Sequence, residues 1–343
     1  MAEPSKIVIA GAGSIGNYVG GCLVLGGKEV ALLARPRIAA MLKADGLRVT
    51  DLEGRSRSVS SAKLNITEDP ATALRGAAIV LVTVKSGATD EMARLVDRFA
   101  PADATIISLQ NGVDNVARIE AALSGSRRVV AGMVPFNVAL ADRPPLRAHR
   151  ATDGALIVDQ AIPGLAGILR VEGLPVTASA DMASILWGKL LLNLNNALNA
   201  LSGLPLAEEL SDRRWRRLLA AQMDEALAAM SAAGIKPAKL AGAPPSLLPR
   251  ILRLPDWLFR RIARRMLDVD PEARSSMWDD LVLRRTTEID EFQGAVLRLA
   301  AQTGTKVPLT RRIVELVQHA EAAKEGSPRL RPEEVVTDLA LKN

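Results

Sequence analysis

The chain has one cysteine and two histidines in 343 residues. Cys22 alone excludes an intrachain disulfide. With only His149 and His319 beside it, no cluster has the spacing of a metal site. A reducing cytoplasm is the compartment this implies. Aromatic residues make up 3% of the chain, too few for a base-stacking surface. A long apolar run is also missing. The longest uncharged stretch, Leu190 to Ala207, carries four asparagines, which speaks against a membrane span. The first apolar segment, Lys6 to Ala10, runs straight into glycines and reads as a strand rather than a secretory signal.

What is present is globular in profile, 48% hydrophobic and 24% charged, and long enough for two domains. The net charge is +6. Much of the excess lies in Arg250, Arg253, Arg260, Arg261, Arg264 and Arg265, interleaved with Leu, Ile, Trp257 and Phe259. Such a segment can meet a membrane surface or nucleic acid. No nucleic-acid motif accompanies it, so a solvated helix face near an anionic substrate is expected, with neither nucleic acid nor membrane as partner.

Residues 6–10, 28–33, 78–84 and 104–109 read as short buried strands. Helical patterns at about 14–26, 35–44, 69–75 and 88–99 separate them. Strand and helix in alternation predict a parallel sheet covered on both faces. Residues 46–66 read as a hairpin insertion around Glu53-Gly54, and 127–180 stay strand-rich with a helix at about 164–171. From about 181 the period is helical: 181–201, 212–233, 246–268, 276–303 and 308–323. The expectation is an α/β domain over 1–180, an all-α domain over 181–330 and a frayed tail over 331–343.

Gly11-Ala12-Gly13-Ser14-Ile15-Gly16 fits GxGxxG, follows a strand and opens a helix. The first glycine permits the tight turn, the second lets a pyrophosphate approach the backbone, and the third lets helix pack on strand. The helix N-terminus then faces the phosphates. This predicts a Rossmann-type dinucleotide site. NAD binders usually carry Asp or Glu after the second strand. Here the chain reads Leu33-Ala34-Arg35-Pro36-Arg37, and a guanidinium suits a 2′-phosphate, so NADP is the expected cofactor. Lys85 and Asn111 follow two later strands, where ligands of open α/β sheets bind. Either could face the nicotinamide ribose or the substrate, or serve only its own loop.

One lysine stands alone in Leu186-Trp187-Gly188-Lys189-Leu190-Leu191-Leu192-Asn193-Leu194-Asn195-Asn196. At about 100° per residue, Asn193 lies roughly 40° to one side of Lys189 and Asn196 roughly 20° to the other. A desolvated lysine can give up its proton near neutral pH. The alternative is a core lysine whose stem reaches the surface. Downstream, Ser275-Ser276-Met277-Trp278 reads as a helix start, with Glu288 about three turns on.

Taken in order, GAGSIG, Arg35, VTVKS around Lys85, QNGV around Asn111, WGKLLLN around Lys189 and Asn193, and SSMWDDL with TTEID around Ser276 and Glu288 resemble the ketopantoate reductases. The resemblance runs from residue 6 to about 320. It implies NADPH-dependent reduction of 2-dehydropantoate to (R)-pantoate in pantothenate biosynthesis. Lys189 would be the proton donor and Glu288 the second catalytic residue. Asn193, Asn196 and Ser276 would bind substrate, with Lys85 and Asn111 between cofactor and substrate in a cleft between the domains. The family's second asparagine falls on Ala197 here, and Asn196 sits one residue earlier. A homodimer through the helical domain follows from the resemblance alone. Two alternatives stay open: a reductase of another 2-oxo acid or imine, and a dinucleotide sensor without turnover.

Overall fold

Runs of four buried aliphatics build the first sheet of the computed structural model, which describes residues 6–141, 143–240, 242–263 and 272–337. The chain divides into two units between Met182 and Ala183.

The first unit begins with β1 (Ile7–Ala10), α1 (Ser14–Leu25), β2 (Val30–Leu33) and α2 (Pro36–Asp45). β3 (Leu47–Asp51), β4 (Ser56–Val59) and β5 (Asn65–Thr67) follow, then α3 (Pro70–Leu74), β6 (Ile79–Val82) and α4 (Thr89–Phe99). β7 (Thr105–Ser108), α5 (Asn115–Ala122) and β8 (Arg128–Met133) lead to β9 (Val138–Ala141), β10 (Leu146–Arg150) and β11 (Leu156–Asp159). α6 (Leu165–Leu169) and β12 (Val176–Ser179) close the unit. The eight-stranded sheet runs β12-β11-β8-β7-β6-β1-β2-β5. From β5 to β8 every pairing is parallel, the arrangement of a Rossmann-type fold. β11 joins antiparallel to β8.

The segment read as a hairpin insertion does form a hairpin, β3 with β4, and more besides. β10 pairs parallel with β3 and antiparallel with β9, giving a separate four-stranded sheet β4-β3-β10-β9. Helix α1 packs between the two sheets. A Cβ on Gly20 would meet Leu32 Cδ2 at 2.7 Å on one side, and a Cβ on Gly21 would meet Val49 Cγ2 at 2.6 Å on the other. Burial on both sides explains why α1 is apolar nearly all round.

The second unit is helical: α7 (Met182–Asn193), α8 (Asn195–Ser202), α9 (Leu206–Ser211), α10 (Arg213–Ala232), α11 (Leu248–Leu252) and α12 (Asp256–Ile262). α13 (Ser276–Val282), α14 (Ile289–Thr303), α15 (Pro308–Ala323) and α16 (Pro332–Val335) complete it. No helix among the described residues is long and apolar enough to cross a membrane.

Four expectations are corrected here. The helix read as 181–201 is interrupted at Leu194. Gln293 Nε2 donates to the Leu194 carbonyl at 3.0 Å, a side-chain insertion of the kind that breaks a helix ladder. The helix read as 246–268 is two short helices, because Pro255 lacks an N–H and biases Leu254 away from helix; Arg264 and Arg265 lie outside the described residues. The helix read as 276–303 stops at Val282. There the Arg284 N–H reaches the Leu281 carbonyl, the Arg285 N–H reaches the Asp280 carbonyl, and Arg284 takes φ 55°. That pattern is a Schellman closure with arginine where glycine is usual. Finally, the segment read as a frayed tail carries α16, because Val335 is fully buried and Leu330 donates to the Leu201 carbonyl at 2.9 Å. Residues 338–343 of that tail lie outside the described residues.

The basic segment is tied down by a residue that sequence reading passed over. Arg216, fully buried in α10, donates to the Leu210, Ser211, Leu252 and Leu254 carbonyls. It pairs with Asp256 at 2.7 Å and lies 4.2 Å from the centre of the Phe259 ring. One buried cation is thus satisfied by four carbonyls, a carboxylate and an aromatic face, and it fixes α11 and α12 to α10.

Candidate active site

The glycine turn after β1 shows three different uses of a missing side chain. Gly11 takes φ +118°, and a Cβ there would come within 2.8 Å of the Val84 nitrogen. Gly16 has no room at all: a Cβ would overlap the Gly11 carbonyl and come within 2.9 Å of both Ile9 and Thr83. Helix α1 can therefore lie on the sheet only through glycine. Gly13 is the opposite case, for a Cβ there meets no protein atom within 4 Å. Gly13 is also the N-cap of α1, which has no side-chain cap and no acidic residue in its first turn. An uncapped helix N-terminus behind open space fits a phosphate group.

The turn is braced by residues the motif does not name. Asn17, fully buried, donates through Nδ2 to the Ala12 carbonyl at 2.6 Å and the Gly13 carbonyl at 2.9 Å. Thr83 Oγ1 donates to the Gly11 carbonyl at 2.7 Å. An asparagine in the middle of an apolar helix was the available signal for Asn17. Ala12, Ser14 and Ile15 occupy the turn and the first residues of α1. Arg35 is the exposed N-cap of α2, directly beyond β2, and no carboxylate stands at that strand end.

The Lys85 and Asn111 loops, at the ends of β6 and β7, are cross-linked to each other. Gln110 Nε2 donates to the Val84 carbonyl at 3.0 Å and to Thr89 Oγ1 at 2.7 Å. Ser86 Oγ donates to the Asn111 carbonyl at 3.4 Å, and Asn115 Nδ2 to the same carbonyl at 2.5 Å. The structure therefore brings Lys85 and Asn111 onto neighbouring, mutually braced loops of the first unit.

Lys189, Asn193, Asn196, Ser276 and Glu288 all belong to the second unit. Lys189 lies in the second half of α7 and is half-buried. Beside it the chain at Ala238 crosses α7 so closely that a Cβ on Gly188 would come within 3.1 Å of the Ala238 nitrogen. Burial lowers the Lys189 ammonium from the ordinary lysine range to about 8, and the negative charge of Glu288 opposes that fall. Glu288 is not inside a helix, as its three-turn spacing from Ser276 suggested, but at the N-cap of α14. Thr287 beside it is held by Glu321 Oε1, which accepts the Thr287 N–H at 2.6 Å.

Asn193 is the last residue of α7 and Asn196 lies just past the break at Leu194. Both are half-buried, whereas Ala197 has no exposed surface. Residue 197 is thus in the core and residue 196 is not. Ser276 is the exposed first residue of α13. Its neighbour Ser275 caps that helix, accepting from the Trp278 N–H at 3.2 Å.

A cavity of about 900 Å³ opens elsewhere in the second unit, walled by Arg214, Arg274, Trp278, Arg284, Arg329 and Arg331 among others. Neither Lys189 nor Glu288 lines it. Among the described residues, no group of histidines, cysteines and carboxylates could hold a metal ion.

Two family models cover most of the chain. The one described as ketopantoate reductase PanE/ApbA matches residues 7–161, and its C-terminal counterpart matches residues 181–321. The chain belongs to the ketopantoate reductase family. It is an oxidoreductase of that family. The 2-dehydropantoate 2-reductase of Halobacterium salinarum is 26% identical over 333 residues, covering 92% of this chain and 99% of that protein. That of Archaeoglobus fulgidus is 26% identical over 326 residues, covering 92% and 98%. The crystal structure of a PanE/ApbA family ketopantoate reductase from Ralstonia eutropha JMP134 superposes with TM-score 0.79 at 30% identity, covering 93% and 99%. A D-mandelate dehydrogenase, solved with NADH and anilino(oxo)acetate, shares the fold at TM-score 0.77 and 21% identity, covering 93% and 99%.

Proposed function

We propose that the protein reduces 2-dehydropantoate to (R)-pantoate with NADPH, as a step of pantothenate biosynthesis in the cytoplasm. The observation that carries this reading is Lys189, an ammonium brought to about 8 by burial and faced by Glu288. A general acid works best when its pKa lies near the working pH. The residues fit the cofactor: Gly13 leaves space, the α1 N-terminus is uncapped, and Arg35 stands where a 2′-phosphate would meet a guanidinium. The chemistry such a cofactor would supply there is a hydride for the ketone carbon. Lys189 gives its Nζ proton to the ketone oxygen as charge develops there, so the carbonyl becomes an alcohol. Glu288 keeps a larger share of Lys189 protonated. Asn193, Asn196 and Ser276 hold the substrate's polar ends, and Lys85 and Asn111 line the cofactor side.

The experiment is complementation of a pantothenate auxotroph by the wild-type gene and by Lys189→Ala, with NADPH oxidation followed in vitro. Growth with the wild type and none with the variant supports the reading. A Lys189→Ala enzyme with near-normal turnover removes the proposed acid.

A second reading keeps the chemistry and changes the substrate. Asparagine stands at 196 and the buried Ala197 takes the family's asparagine position, so the contact to one end of the substrate differs. A panel of 2-oxo acids, with D-mandelate's oxo acid included, separates the two by kcat/KM.

A further inference from the structure

Asn199 lies in α8 with no exposed surface. Its side-chain amide is fully engaged. Nδ2 donates to the Leu204 carbonyl at 2.9 Å and to the Glu209 carboxyl group. Oδ1 accepts the Ser275 N–H at 2.8 Å. The Ser275 hydroxyl in turn donates to the Asn196 carbonyl at 2.9 Å while capping α13. The N-terminus of α13 therefore hangs on α8 by two hydrogen bonds, both through Ser275, and Ser276 is the next residue.

Glu209, in α9, stands behind Asn199 and is 1% exposed. Burial pushes its carboxyl up to about 8, and hydrogen bonds from Asn199 and Asn195 oppose the rise. Burial thus favours the uncharged acid, which avoids the penalty of a buried carboxylate while keeping an acceptor oxygen. Neither Asn199 nor Glu209 has a part in the proton transfer assigned to Lys189.

We infer that Asn199, backed by Glu209, is a positioning residue that holds the α13 N-terminus, and with it Ser276, in the register that binds substrate. The anchor reaches Asn196 too, whose carbonyl is the second attachment of Ser275. Ser276 is exposed and stands between the hydrogen-bonded Ser275 and the buried Met277, so the Ser275 bonds set the first turn in which it lies. This rests on the reading of Ser276 as a substrate-binding residue. Removing the Asn199 amide takes the acceptor from the buried Ser275 N–H and leaves Glu209 with Asn195 in place of two amide donors, a loss that a helix terminus relieves by moving.

The test compares wild type, Asn199→Ala, Glu209→Ala and Glu209→Gln by amide hydrogen exchange over residues 275–278 and by steady-state kinetics. Asn199→Ala should exchange faster at Ser275 and Trp278. Its KM for 2-dehydropantoate should rise about tenfold or more, while kcat and NADPH binding change little. Glu209→Ala should behave alike, and Glu209→Gln should restore both readouts, because a neutral amide oxygen accepts the Asn199 N–H as the acid does. Unchanged exchange in Asn199→Ala, faster exchange with an unchanged KM, or no rescue by glutamine would overturn the assignment. If Asn199→Ala does not fold, the two Glu209 variants decide it alone. A wild-type protein that reduces none of the oxo acids sinks the functional reading instead, and the exchange comparison still decides the anchoring.

Discussion

Glu288 and Lys189 sit on separate helices of one unit, and the carboxylate holds the lysine's proton against the burial that would release it. Without Glu288 the Lys189 pKa falls below its present value of about 8. With Lys189 as the proposed acid, turnover would require its protonated form, so activity should decline as pH rises through that pKa. Glu288→Gln should therefore move the alkaline limb of the kcat profile to lower pH. A limb that stays in place would show that Lys189 is not the titrating acid.

Lys189 also links pH to stability. Its folded pKa lies below the unfolded value of 10.5, so the stability it contributes is complete above about 10.5 and lost as pH falls through about 8. Below pH 8 the folded state carries a half-buried ammonium. Lys189→Met should thus raise the Tm at pH 6–7, by a gain on the order of 2 kcal/mol, and the gain should shrink toward pH 10. The same variant should lose about 10²- to 10⁴-fold in turnover. Stability gained with activity lost, measured on one protein, separates a functional lysine from a structural one.

Arg35, exposed at the end of β2, is the guanidinium that the proposed reading sets against the 2′-phosphate of NADPH. Arg35→Ala should weaken NADPH binding about tenfold or more and leave NADH binding nearly unchanged, as loss of a charge-assisted phosphate contact predicts. Titration by cofactor fluorescence reads both. Equal losses for the two cofactors would assign Arg35 to the fold instead.

Two glycines of one motif should fail in different ways. Gly16→Ala forces a methyl group into the Gly11 carbonyl, so it should lower stability by on the order of 1–3 kcal/mol through overpacking. Gly13→Ala meets only open space, so its Tm should stay near wild type while cofactor affinity falls. Thermal melts with and without NADPH distinguish these outcomes. A Gly13→Ala protein with full affinity would mean that no phosphate approaches there.

Much of the molecule was legible in the chain because it rests on local rules. The aliphatic runs at Ile7–Ala10 and Ile79–Val82 are buried on both faces, and that burial is what an unbroken apolar strand encodes. Gly11 and Gly16 announce their roles because only glycine fits them. Helix ends were harder. Pro255 marks the interruption between α11 and α12 by its missing N–H, but nothing near Leu194 foretells the break there. The Gln293 side chain that bonds the Leu194 carbonyl lies almost a hundred residues away.

Sequence alone therefore determined the order of strands and helices, the dinucleotide turn, and the presence of one lysine whose charge an apolar helix has to explain. These depend on periodicity, backbone sterics and the cost of burying charge, all of which act over a few residues. Tertiary structure alone decided which polar groups meet. It set Glu288 at a helix start near Lys189, turned Ala197 inward and Asn196 away from the core, and joined Asn199 to Glu209 and Ser275. Hydrogen bonds and charges act across space rather than along the chain, so their partners are fixed only once the helices have packed.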